Sequence, residues 1–372
     1  MKRRLATVGI RGAGVAGLSL ARELLALDPN LSISFFDTRP RTPHPQRTFC
    51  YFRPCPQERL DLPVHSWHTV IFRGKRFERR IDVSANPYTM LHGDVFFNGT
   101  IQALESHKAS FRWDSHHVSL ETNAMRVDDE LIPFDAVIDA AFNPTTESSR
   151  LWQSFGGVWV STKNPTFDPH AATLMDLEES NGINPVAFMY ILPISSTNAL
   201  VEHTTFSQIP SGDDYHVKRC FEWLDRNVSG DYQILDTERG LIPMGLKINK
   251  RPAHTVIGSN SGTVRPATGY AFLATQRQAR KLARRLLCGE GSIKRNYPLW
   301  LEAGDRLFLR ALARSPSSGA DLLGGLLAGA PAGALINFLA GKASLSEAFS
   351  VWMSAPKISM LRAVILGREN RE

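Results

Sequence analysis

The first forty residues carry an ordered run that few folds accommodate. Residues 5–10 are a short apolar stretch suited to a buried strand, and they lead into Gly12-Ala13-Gly14-Val15-Ala16-Gly17. Leu18, Leu20, Ala21, Leu24 and Leu25 follow at helical spacing, a second apolar run spans 31–36, and Asp37 closes it, 25 residues after Gly12. Strand, glycine turn, helix, strand and acid in this order predict the βαβ unit of a dinucleotide-binding α/β domain. Gly12 makes the tight turn, Gly14 lets backbone amides approach a pyrophosphate, and Gly17 lets helix and strand pack closely. Asp37 stands where a carboxylate would accept hydrogen bonds from a ribose. Arg39 and Arg47 follow it, and either could reach a phosphate.

No second motif of this kind follows, and the first lies at the start of a 372-residue chain. That placement favours FAD held permanently over a nicotinamide cofactor passing through. With 43% hydrophobic residues the chain can build two or three packed domains, which excludes disorder as its main character. The net charge of +7 has one address, because residues 277–314 hold ten Lys or Arg against three acids. Arg277, Arg280, Lys281, Arg284 and Arg285 recur at three- and four-residue steps, predicting one basic helix face with Leu282, Ala283 and Leu286 turned inward. A basic protein invites a nucleic-acid reading, but no zinc-ligand spacing, RNP-like sequence or polybasic tail supports it. Cys50, Cys55, Cys220 and Cys288 form no CxxC pair, so neither a redox couple nor a zinc site is expected and a reducing cytoplasm fits best. His116-His117 lacks ligand partners at useful spacing, and no metal site is expected. Met1-Lys2-Arg3-Arg4 is like the start of an export signal, yet the apolar run behind it ends at Arg11 and carries the glycine motif, so export is not expected.

Further segments act in combination. They are Arg47-Thr48-Phe49-Cys50-Tyr51-Phe52, Phe167-Asp168-Pro169 and Leu174-Met175-Asp176. Next come Phe188-Met189-Tyr190-Ile191-Leu192-Pro193-Ile194-Ser195 and Ala199-Leu200-Val201-Glu202-His203-Thr204-Thr205-Phe206. Glu238-Arg239-Gly240-Leu241-Ile242-Pro243-Met244 and Val264-Arg265-Pro266-Ala267-Thr268-Gly269-Tyr270-Ala271-Phe272 follow, then Asn337-Phe338-Leu339-Ala340-Gly341 and Ser344-Leu345-Ser346-Glu347. In this order, over nearly the whole chain, they resemble the lycopene cyclase family of flavoproteins, which are similar in fold to aromatic hydroxylases. The resemblance implies an α/β fold with an FAD-binding Rossmann-like domain of the glutathione-reductase and aromatic-hydroxylase type. Its interleaved segments would be 1–60, 90–150 and 250–290. A mixed β-sheet substrate domain would take 61–89 and 151–249, and a helical C-terminal region facing a membrane would take 291–372.

Three segments depart from the family pattern. His203 stands between Glu202 and Thr204 where plant members carry a second glutamate, and Asp139-Ala140-Ala141-Phe142 replaces the family's Asp-Ala-Arg-Gly. Ile257-Gly258-Ser259-Asn260-Ser261-Gly262 lacks the aspartate that many related hydroxylases set against the ribityl chain, which favours the cyclase branch over oxygen-using relatives.

An apolar strand at 255–257, a turn holding Gly258 and Gly262, and a helix from about 268 to 287 make a second cofactor-facing element. The positive end of that helix would point at the flavin, making Pro266, Thr268 and Gly269 contact candidates. Residues 187–194 and 199–206 predict an apolar hairpin in which Leu200, Glu202 and Thr204 share one face while Val201, His203 and Thr205 share the other. Burial would raise the pKa of the Glu202 carboxyl and keep it partly protonated near neutrality, as a general acid requires. In the resembled family the glutamate at this place is the leading catalytic residue. His203, pointing away, reads as structural. Asp168, Asp176 and Glu238 each neighbour a Pro, Met or Gly, which predicts turns and hydrogen-bonding roles.

The resemblance implies ring closure of a lipophilic linear polyene such as lycopene by protonation and carbocation cyclisation, with reduced FAD as charge stabiliser and NAD(P)H as its reductant. Two alternatives stay open: a tailoring cyclase for another polyene or prenylated product, and a flavin monooxygenase of the hydroxylase type. Residues 322–341 carry no charge, but Gly324, Gly325, Gly329, Pro331 and Gly333 interrupt them. Short apolar helices over a substrate channel or in the membrane interface are therefore expected rather than a span. Peripheral attachment at the cytoplasmic membrane face, with the basic helix against anionic lipid, follows as the expected location.

Overall fold

In the computed structural model, residues 5–42, 47–53, 60–142, 149–178, 184–246, 254–291, 293, 295–314 and 316–356 are described. Residues 1–4, Cys55 and Lys294 lie outside them. The opening run folds as strand Thr7–Arg11, helix Val15–Leu27 and strand Ser32–Phe36. With Thr255–Val256, Ala136–Asp139 and Ser110–Arg112 the two strands make a five-stranded sheet that is parallel throughout. Val8, Ile10, Ile33 and Phe35 fill its core against Leu18, Leu20 and Leu24 of the helix. Both faces of such a sheet are covered, which is why these strands read as continuous apolar runs. The antiparallel strands Val118–Leu120, Ala124–Val127 and Glu130–Pro133 form a small sheet of their own.

A second body is built on seven strands in the order Tyr232–Met244, Leu151–Thr162, Asn198–Ser207, Val186–Pro193, Ala171–Leu177, Thr69–Gly74 and Phe77–Asp82. One neighbouring pair, Ala171–Leu177 with Thr69–Gly74, is parallel, and the rest are antiparallel. Helix Asp213–Asn227 covers one face, where Val158, Val201, Met189, Cys220 and Leu224 pack together. The other face carries the largest core, with Phe188, Leu192, Leu200 and Phe206 against the C-terminal helices. Stretch 61–89 divides between two sheets, for Tyr88–His92 pairs with His65–Trp67 on one side and Thr48–Phe52 on the other in a three-stranded sheet rather than joining the seven.

The uncharged stretch 322–341 is two helices, Gly319–Gly329 and Ala332–Leu339, parted at Pro331, which lacks the N–H that a continuing helix needs. Leu322, Leu326, Leu327, Leu335, Ile336 and Leu339 are buried, each contributing about 2 kcal/mol to packing. Among the described residues no helix is long and apolar enough to cross a membrane. Helix Phe272–Leu287 turns Leu282, Ala283 and Leu286 inward. Its basic face is partly neutralised, since Arg280 meets Glu23 at 3.5 Å and Arg285 meets Glu290 at 2.7 Å, while Lys281 and Arg284 stay exposed.

Candidate active site

Two constellations meet around the small three-stranded sheet, whose Thr48 bonds to Glu238 while its Phe49 stacks on Phe272. At the dinucleotide end, Gly12 takes φ +96°, in the left-handed region that glycine tolerates, and its N–H donates to the Phe36 carbonyl at 2.8 Å. A Cβ on Gly17 would collide with the Gly12 carbonyl, so helix and turn touch backbone to backbone. A Cβ on Gly14 would meet nothing nearer than the Arg39 guanidinium at 4.0 Å, which leaves open space over the start of helix Val15–Leu27. An FAD pyrophosphate fits this cradle, where helix amides and a cation face the same opening. Buried Asp37 accepts from Ala13 N at 2.7 Å and from the Arg39 side chain at 2.8 and 3.0 Å. Burial works against its ionisation, but these donors win and hold the carboxyl below its usual range. Asp37 is thus shared between Ala13 and Arg39. Arg47 is exposed, anchored through its carbonyl to Gly93 N at 2.7 Å and within electrostatic reach of Arg39 and Glu238.

The second element expected to face a cofactor packs on the first. Gly258 takes φ +83° and Gly262 φ +79° around the turn Ser259–Ser261. A Cβ on Gly258 would strike Ala16, and its N–H donates to Gln278 at 2.8 Å. The following helix starts at Phe272, not at 268. Pro266, Thr268 and Gly269 therefore form a tight turn ahead of it, with Thr268 N and Gly269 N both aimed at the Arg265 carbonyl. Gly269 needs its φ of +70°, and the Gln153 side chain occupies the space a Cβ would take.

Across four strands at one edge of the seven-stranded sheet runs a single row. Tyr190 pairs with Glu202, Glu202 with Gly157, and Gly157 with Glu238, so all four share one face. Glycine at the middle position leaves the gap in which the two carboxyls meet; a Cβ there would lie 3.2 Å from Glu202 Cβ and 2.9 Å from Leu200. Glu202 and Glu238 are both buried and share a hydrogen bond. Thr204 donates to Glu202 at 2.8 Å, while Thr48 donates to Glu238 at 2.5 Å. Burial raises both carboxyls above their ordinary range, Glu202 the further because its like-charged neighbour adds to the effect. Two buried carboxyls this close do not ionise independently, and the pair titrates as a unit.

A phenol chain borders the row, with Tyr88 Oη 2.7 Å from Tyr190 Oη and 3.2 Å from Tyr270 Oη. Burial pushes all three phenols up and keeps them neutral. Tyr270 belongs to the turn before helix Phe272–Leu287, so the phenol chain joins that turn to the carboxyl row. Phe52 and Tyr88 pack in the same core as Trp67 and Phe188. The site therefore offers a protonated acid beside apolar and aromatic surface.

Residues 8–365 match the family model described as lycopene cyclase protein. The chain belongs to the lycopene cyclase family. Among its relatives, chloroplastic neoxanthin synthase of Solanum tuberosum is 26% identical over 200 residues, covering 49% of this chain and 40% of that protein. Lycopene beta-cyclase of Paracoccus sp. (strain N81106 / MBIC 01143) is 25% identical over 278 residues, covering 71% of this chain and 69% of that one. A geranylgeranyl bacteriochlorophyll reductase-like protein of Thermoplasma acidophilum superposes with a TM-score of 0.60 at 13% identity, covering 98% and 97% of the two chains. Halogenase PltM does so with a TM-score of 0.59 at 12% identity, covering 98% and 93%. These likenesses show that the lycopene cyclase family chain has an α/β flavoprotein fold with a mixed sheet and a helical C-terminal region.

Within this family member the residues expected to act divide as follows. Glu202 lies on the predicted face with Leu200 and Thr204, and His203 points the other way, its Nδ1 2.9 Å from His216 Nδ1. Asp168 sits in a turn, accepting from His170 N at 3.0 Å and from Arg80 at 2.8 Å. Asp176 and Glu238 lie on strands, not turns. Glu238 is the member of the row that local sequence hides, because Gly240 and Pro243 beside it read as a turn. The signal that could have found it is Gly157, a glycine inside a long apolar strand, which marks a close approach from the neighbouring strands.

Proposed function

We infer that this chain is a flavin-dependent, non-redox cyclase that closes a six-membered ring at the end of a linear isoprenoid polyene such as lycopene. The observation that carries the reading is Glu202, an acid held protonated by burial in the middle of an apolar sheet, on the face that looks towards the cofactor-facing elements. Glu202 gives its proton to the terminal alkene of the polyene, and the neighbouring double bond attacks the resulting tertiary cation to form the ring. FAD, bound in its reduced form and kept reduced by NAD(P)H, supplies negative charge that stabilises the developing cation. The chain's part is to place the polyene end beside Glu202, offer the aromatic faces of Tyr190 and Tyr88 to positive charge, and exclude water that would trap the cation as an alcohol.

Gly12, Gly14, Gly17, Asp37 and Arg47 on one side, with Gly258, Gly262, Pro266, Thr268 and Gly269 on the other, form the proposed cofactor site. The open cradle over Gly14 and the packing of Gly258 on Ala16 support it. A polyene substrate is stored in membranes, and peripheral attachment at the cytoplasmic face belongs to the same reading.

Anaerobic incubation of the protein with reduced FAD and lycopene is expected to give a cyclised product of unchanged mass. Glu202→Gln is expected to lower turnover at least 100-fold while flavin stays bound. A product gaining one oxygen, or a strict need for oxygen, would replace the cyclase reading with the monooxygenase one.

A further inference from the structure

The row across the sheet contains two carboxyls, and the proposed chemistry has two proton transfers. Ring closure adds a proton at one carbon and removes one from another carbon of the same ring, so no electrons enter or leave. A single carboxyl could do both only after moving from one carbon to the other. The surroundings of the two groups differ in a way that divides the work. Glu238 receives the Thr48 hydroxyl at 2.5 Å, and Trp159 and Glu202 beside it also act to lower its pKa. All of these favour an ionised carboxylate there. Glu202 has Thr204 as its donor at 2.8 Å and faces the charge of Glu238. The missing side chain at Gly157 is what lets the two meet.

We propose that Glu238 is the general base of this site, taking the ring proton and handing it across the Gly157 gap to Glu202, so that one proton circulates within the pair. The inference rests on the cyclase reading above. In the first transfer an O–H bond of Glu202 breaks and a C–H bond forms at the terminal alkene, leaving the tertiary cation and the Glu202 carboxylate. After the C–C bond closes the ring, a C–H bond of the ring cation breaks, its electron pair becomes the new C=C bond, and the proton goes to a Glu238 oxygen. Transfer from Glu238 to the Glu202 carboxylate restores the starting ionisation, so each turnover needs no proton from bulk water. Because the base decides which ring proton leaves, Glu238 also fixes the position of the new double bond.

The test follows the fate of the cation, which a merely structural residue would not redirect. Lycopene is supplied with reduced FAD under anaerobic conditions to the unmodified protein, to Glu238→Gln and to Glu202→Gln. Glu238→Gln is expected to go on consuming lycopene at least 10-fold more slowly, with product diverted to isomeric ring alkenes or to an alcohol heavier by one water, whereas Glu202→Gln gives no ring. Wild-type product ratio and rate from Glu238→Gln would overturn the assignment of the base. An absence of turnover by the unmodified protein would overturn the functional reading itself and the base with it. If Glu238→Gln fails to fold, Thr48→Val takes its place. Loss of that donor is expected to move the acidic limb of the rate profile to higher pH, and an unmoved limb would overturn the proposal.

Discussion

At the scale of single residues, the carboxyl row ties activity to a cost in stability. Glutamate in an unfolded chain titrates near pH ~4.3. Glu202 and Glu238 have raised pKa values in the fold, so between the unfolded and folded values the native state binds more protons than the unfolded one. The stability linked to them is fully present below the unfolded pKa and is lost as pH rises through the folded values. Glu202→Gln removes one titrating group and the like-charge repulsion. The melting temperature of the unmodified protein is therefore expected to fall more than that of Glu202→Gln as pH is raised from about 5 to about 9, and parallel profiles would contradict the buried-pair description. Glu202 was legible because it interrupts a run of apolar residues with strand periodicity. Glu238 was not, because its partners Thr48, Trp159 and Glu202 are remote in sequence and its nearest neighbours are turn formers.

At the scale of elements, the Pro266–Gly269 turn is held by the C-terminal helices as well as by its own glycine. Arg265 and Asp305 are each 1% exposed and joined at 2.9 and 3.0 Å, and the guanidinium also lies 4.2 Å from the Phe338 ring centre and donates to the Phe338 carbonyl. This clamp joins the turn, helix Leu299–Arg314 and helix Ala332–Leu339. Removing one partner strands the other charge in the core. Asp305→Ala is expected to destabilise the fold by about 3–5 kcal/mol in urea unfolding, and the double change Arg265→Met with Asp305→Leu to recover most of it. Equal losses in the single and double variants would show that the pair is not the clamp. Helix positions followed from apolar spacing, whereas the start at Phe272 did not, because the Pro266–Gly269 turn is fixed by hydrogen bonds to Arg265.

At the scale of the whole molecule, the uncharged C-terminal stretch covers the broad sheet, and the proposed membrane attachment needs another surface. On helix Leu345–Met353, Leu345, Phe349 and Met353 recur every four residues and are 58%, 58% and 52% exposed. Elsewhere on the C-terminal region, Arg306, Arg310 and Arg314 gather around Arg150, whose pKa is lowered by partial burial and by their repulsion. The proposed attachment uses this apolar ridge with basic surface of the same chain against anionic lipid. Binding to vesicles containing anionic lipid is expected to weaken with added salt and to fall several-fold in Leu345→Ser with Phe349→Ser. Binding indifferent to salt, lipid charge and both substitutions would retire the attachment.

The sequence by itself determined what depends on neighbours along the chain: the βαβ unit with its glycines and closing acid, the apolar hairpin around Glu202, the helix faces and the order of family segments. Periodicity and glycine conformation are local properties, and they survive in a one-dimensional reading. Tertiary structure alone decided which remote groups meet. The pairing of Glu202 with Glu238 across Gly157, the sharing of Asp37 with Arg39, and the Arg265 clamp depend on strand register and on which element covers which face. Burial and electrostatic pairing act through space, so the ionisation on which this site's chemistry turns is a property of the fold.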